Sequence, residues 1–105
     1  MSYNKKYTLL PTSTFKRELG EIIYYIKYKL KEPSIAKSLY KNVIKEIHSL
    51  EFMPERYKRI ENVYDKSKIL RKTSVNNYII IYEVDNTTRT SLYFTHLSRQ
   101  SRLYK

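Results

Sequence analysis

A chain of 105 residues has room for one hydrophobic core and not two. With 41% apolar residues, including twelve tyrosines and three phenylalanines, it is too rich in core-forming side chains for a disordered segment. A formal net charge of +11 favours polyanionic partners such as nucleic acid, a ribosome, an acidic protein or an anionic membrane surface, and the lack of cysteine excludes a disulfide framework and thiolate metal ligation.

The charge belongs to the folded body. Ten Lys/Arg stand against five Asp/Glu up to Pro54, and eleven against five after it, so neither half is a detachable basic tail. The N-terminus Met1-Ser2-Tyr3-Asn4-Lys5-Lys6 is basic, but no apolar core of signal-peptide length follows it. No run approaches the ~20 residues of a membrane span. The expectation is a cytoplasmic protein without a membrane partner.

In chain order, Tyr7-Thr8-Leu9-Leu10 reads as a short strand stopped by Pro11, and Thr12-Ser13-Thr14 offers hydroxyls for a helix N-cap. Phe15, Leu19, Ile22, Ile23, Ile26 and Leu30 recur at spacings of three and four, which predicts an amphipathic helix. Glu32-Pro33-Ser34 breaks it, with Ser34 placed to cap a second helix carrying Ala36, Leu39, Val43, Ile47 and Leu50 on its apolar face. So short a connection folds the two helices back as an antiparallel hairpin. Pro54 closes it.

After Pro54 the pattern turns to strands. Arg56 to Asn62 and Lys68 to Lys72 are short and charged, as in peripheral strands. Tyr78 to Val84 is nearly continuous in β-formers, which predicts a central strand covered on both faces. Asp85-Asn86-Thr87-Thr88 reads as a turn, and Ser91 to Leu97 as the return strand. The predicted architecture is one α+β domain over residues 1–105, of order βααβββ, in which the helical hairpin packs on a C-terminal antiparallel meander.

This order of elements resembles the RelE/ParE toxins. The resemblance rests on Ala36-x-x-Leu39 through Ile47-x-x-Leu50-x-x-x-Pro54, on Leu70-Arg71, on Tyr78-x-Ile80-x-Tyr82-x-Val84-Asp85, and on His96-x-x-Arg99-x-x-Arg102. It implies the toxin of a bacterial type II toxin–antitoxin pair, neutralised by an acidic antitoxin that wraps its surface. The implied mode of growth inhibition is ribosome-dependent mRNA cleavage or, as the alternative, ParE-type inhibition of DNA gyrase. A third reading, independent of the resemblance, is a non-enzymatic nucleic-acid-binding module.

Metal-independent RNA cleavage requires a group that accepts the 2′-OH proton, one that protonates the leaving 5′-oxygen, and cations that hold the phosphorane. No metal or cofactor is expected. The last twenty residues hold His96, Arg89, Arg99, Arg102, Tyr104 and Lys105 and no acid. By the resemblance His96 is a candidate general acid or base; on its residue type alone it reads as a partly buried strand-end side chain bonded to backbone. Arg71 and Arg99 are candidate catalytic cations, Lys72 and Arg102 candidate substrate-binding ones, and otherwise all are solvated charges. Tyr104 resembles a C-terminal tyrosine that aligns or stacks on a base. His48, beside the core stripe of the second helix, reads as surface packing. The chain departs from the RNA-cutting members at Ile79, where they place an arginine after the first aromatic of the central strand; Ile79 reads as core.

Overall fold

The computed structural model describes residues 6–60, 69–85 and 91–99. The chain runs through β1 (Thr8–Pro11), α1 (Ser13–Tyr24), a π-helical turn (Tyr25–Lys29), α2 (Pro33–Ser49), β2 (Arg59–Ile60), β3 (Leu70–Val75), β4 (Tyr78–Val84) and β5 (Ser91–Arg99). The expected strand, helical hairpin and meander are all present. The short edge strand β2 falls within Arg56 to Asn62, the stretch expected to be a peripheral strand, so the described order has one strand more than βααβββ counts.

Thr12 starts α1 as anticipated. Its hydroxyl accepts from the Phe15 N–H at 3.1 Å and donates to the Phe94 carbonyl at 2.9 Å, so one side chain caps the helix and ties it to β5. Phe15, Leu19 and Ile26 are buried, with Ile22 and Ile23 partly so. Leu30 departs from the expected stripe and is half exposed. The reason is the π turn: the Leu30 N–H bonds the Tyr25 carbonyl five residues back, which breaks the three-and-four spacing that would have returned Leu30 to the core. Lys31 then takes a left-handed conformation, φ 56°, and the Glu32 N–H reaches back to the Ile26 carbonyl.

The second helix begins two residues earlier than a cap at Ser34 would place it. Pro33 occupies its first turn, where a missing N–H costs nothing and the fixed φ suits a helix, and Glu32 is the capping position, without a side-chain bond. Ser34 is therefore inside α2 and caps nothing. Ala36, Leu39, Val43, Ile47 and Leu50 are all buried, as predicted.

The five strands lie in the order β1-β5-β4-β3-β2, with β1 parallel to β5 and every other pair antiparallel. The strand Tyr78–Val84 is central, yet it is not covered on both faces. Ile80, Tyr82 and Val84 are buried under the helices, whereas Ile79, Ile81 and Glu83 stay partly exposed on the other side. Among the described residues the hairpin is the one helical layer and covers a single face, so Ile79 stays partly exposed and outside the core. β3 runs to Val75, three residues past its expected end, and turns through Asn76, whose φ of 56° suits Asn.

Candidate functional site

Pairing register assigns each candidate to a face, because residues directly opposite on neighbouring strands point the same way. On the central rung of the uncovered face, Lys72 of β3 and His96 of β5 flank Ile81 of β4. Two strand spacings separate their backbones by roughly 10 Å. Just above them β5 bulges: Tyr82 pairs with Phe94 and Ile81 with His96, leaving Thr95 as the extra residue. The Thr95 hydroxyl donates to the Ile81 carbonyl at 3.2 Å.

Arg71 lies on the opposite, helix-covered face, paired with Tyr82. Its Nη1 donates to the Tyr57 carbonyl at 2.7 Å, and its Nε is buried with no hydrogen-bond partner among the described residues. It is not a free phosphate clamp. Arg99 shares that face but pairs with Tyr78, four residues along β4 from Tyr82. That places Arg99 roughly 13 Å along the strand and about 10 Å across from Arg71. The end of the last strand therefore does not lie beside Arg71. Arg99 instead lines a 230 Å³ cleft with Tyr25, Leu30, Glu32 and Tyr78. Arg102, Tyr104, Arg89 and Lys105 lie outside the described residues, as do Asn86, Thr87 and Thr88 of the expected turn.

Glu18 was not singled out by sequence. It projects from α1 to the stretch of β5 beyond its pairing with β1, where its Oε1 accepts the Leu97 N–H at 2.9 Å and stands 3.5 Å from His96 Nδ1. The His96 ring keeps more than half of its surface exposed. A carboxylate at Nδ1 orients the ring and leaves Nε2 outward. No pattern in the sequence links positions 18 and 96. His48 is exposed, 3.6 Å from Glu51, as a surface residue of α2.

Tyr82 is the most deeply set polar side chain near these residues. Its hydroxyl donates to the Pro54 carbonyl at 2.6 Å. Burial pushes its phenol up to about 12, against the opposing pull of the Arg71 and Arg56 charges. Thr73, also buried, donates to Glu46 of α2 at 2.7 Å. Among the described residues no three His, Asp or Glu side chains come together in a way that could hold a metal ion, and no helix is long and apolar enough to cross a membrane.

On the hairpin, Lys16, Leu19, Gly20, Ile23 and Tyr40 line an open groove of 310 Å³ between α1 and α2. Gly20 is the chain's one glycine and sits inside a helix, with nothing within 4 Å of where a Cβ would stand.

The fold and site can be set against known proteins. Among solved structures, the chromosomal ParDE TA system from P. aeruginosa superposes with a TM-score of 0.70 at 12% identity, covering 92% of this chain and 99% of that one. An archaeal RelE–RelB complex from Pyrococcus horikoshii OT3 gives 0.64 at 19% identity, covering 92% and 98%. At these identities the likeness is one of fold. No curated protein sequence matches the chain. The family model of the ParE toxin of type II toxin–antitoxin system, parDE, matches residues 9–104. With that span matched and both neighbours sharing the strand, helical hairpin and meander, the chain belongs to the ParE toxin family of type II toxin–antitoxin systems, within the RelE/ParE superfamily.

Proposed function

We propose that this toxin arrests growth by inhibiting DNA gyrase rather than by cutting RNA. One observation carries the choice: among the described residues, the arginines that a metal-free nuclease would gather around one phosphate do not converge. Arg71 is bonded to the Tyr57 carbonyl on the covered face, and Arg99 pairs four residues further along β4. Cleavage needs acid, base and cation within hydrogen-bond reach of a single reacting centre. Ile79 and Ile81 occupy the middle of the uncovered face instead.

The test is direct. Purified protein added to a gyrase supercoiling reaction should inhibit it and accumulate cleaved DNA, and induced cells should mount an SOS response. Intact supercoiling, together with cuts mapped inside translated mRNA, would refute the proposal. The nuclease reading keeps one observation of its own, the rung on which Lys72 and His96 face the same side with Glu18 behind the imidazole. In that case His96→Ala abolishes toxicity, whereas under gyrase inhibition it leaves toxicity in place.

The neutralising partner is a cognate antitoxin whose acidic segment folds onto the hairpin and sheet edge. Support comes from the net charge of +11 and from the open groove at Gly20, whose apolar floor and flanking Lys16 suit an apolar anchor beside a carboxylate. The solved neighbours are themselves a ParDE system and a RelE–RelB complex. Filling the groove with Gly20→Phe should weaken antitoxin binding at least tenfold by calorimetry.

A further inference from the structure

We propose that the outward face at the apex of the helical hairpin is a docking platform for single-stranded nucleic acid, built on Tyr24 and Tyr28 with Lys27, Lys29 and Lys31 around them. It lies apart from the uncovered sheet face and stands whether or not gyrase is the target.

Phe15, Leu19 and Ile26 point α1 toward the sheet, so Tyr24 and Tyr28, one turn apart on the other side, point away from it. They are 58% and 55% exposed, with ring centroids 4.9 Å apart. Large aromatic rings so exposed, side by side and without a covering element, mark a contact surface better than a solvated one. Lys27 Nζ sits 5.3 Å from the Tyr28 ring centroid. From Ile22 to Lys31 the chain has three lysines and no acid, and the nearest carboxylate before them, Glu21, is 3.7 Å from Arg17. Lys27, Lys29 and Lys31 form no ion pair among the described residues.

A phenol pair with the Lys27 ammonium beside it, in a segment that carries two further lysines, matches a nucleic-acid strand, whose bases stack while its phosphates take the charge. A folded peptide is a poorer fit. Its apolar anchors need a concavity, and neither of the clefts described on the hairpin, at Gly20 and beside Tyr25, is lined by Tyr24 or Tyr28.

The experiment is fluorescence anisotropy of the full chain with a short labelled RNA and the DNA of the same sequence. Y24A/Y28A should weaken binding by about tenfold or more, since stacking contributes about 1–3 kcal/mol per base and 1.4 kcal/mol is tenfold. Both positions are exposed and alanine favours a helix, so thermal unfolding should be unchanged or raised. Y24F/Y28F, which keeps the rings, should restore wild-type affinity. Three lysine–phosphate contacts give a slope of about −2 in log affinity against log salt, falling in magnitude by about 0.7 in Lys27→Gln. The more tightly held strand type identifies the natural source, RNA or DNA. The proposal is overturned by any of three results: neither oligonucleotide binds, folded Y24A/Y28A binds as wild type, or that variant loses only its antitoxin.

Discussion

Tyr82 ties the centre of the sheet to the Pro54 turn through a single buried side chain. It is fully buried between Arg71 and the Pro54 turn, and its hydroxyl has one bond, to the Pro54 carbonyl. With the folded phenol held up to about 12 and an unfolded value of 10.0, the unfolded chain loses the proton first as pH rises. Stability present below pH 10 is therefore lost between about 10 and 12, by an amount on the order of 2 kcal/mol. In denaturant titrations across that range Tyr82→Phe should flatten the fall, and at neutral pH cost about 1–2 kcal/mol for the orphaned carbonyl. Gly20 is the converse case. Since nothing is near its missing Cβ, Gly20→Ala should stabilise α1 by about 0.5–1 kcal/mol and raise Tm by a few degrees. An unchanged or lowered Tm would show that the glycine serves the fold and not the groove. Tyr82 was legible as part of the strand pattern; its bond to Pro54 was not, because it spans 28 positions.

At the scale of the element, α1 is held to β5 at two points that periodicity does not reveal. Thr12 joins the helix start to the Phe94 carbonyl, and Glu18, a turn and a half later, takes the Leu97 N–H. Thr12→Ala should cost about 1–2 kcal/mol, as loss of an N-cap does. Glu18→Ala strands the backbone N–H of a buried residue and should cost about 1–3 kcal/mol, while Glu18→Gln, which keeps an acceptor, should recover most of it. Equal losses in the two Glu18 variants by chemical denaturation would mean that charge beside His96 matters more than the hydrogen bond. Helix faces were readable because a 3.6-residue repeat is local. The π turn was not, since nothing in Tyr25–Lys29 announces a five-residue hydrogen bond, and so Leu30 was placed in the core while it is half exposed.

For the molecule as a whole, one helical layer on one side of a five-stranded sheet makes the two faces unequal, and this sorts the candidate cations. Arg71→Ala should lower stability by about 1.5–3 kcal/mol through its charge-assisted bond to Tyr57. Arg99→Ala, at an exposed position, should stay within about 0.5 kcal/mol of wild type. Denaturation curves that rank the two the other way would contradict the placement of Arg71 on the covered face. From its residues alone the chain determined a basic composition, two amphipathic helices and a central strand at Tyr78–Val84, because composition and short-range hydrophobic repeats are written locally, and the order of those elements resembles a toxin family that the family model then showed. Only the tertiary structure decided that β1 joins β5 in parallel, that Lys72 and His96 share a rung, that Glu18 stands behind the imidazole and that Arg71 and Arg99 lie apart. Those relations depend on strand register and on which face the helices cover, and both are settled by packing between residues far apart in the chain.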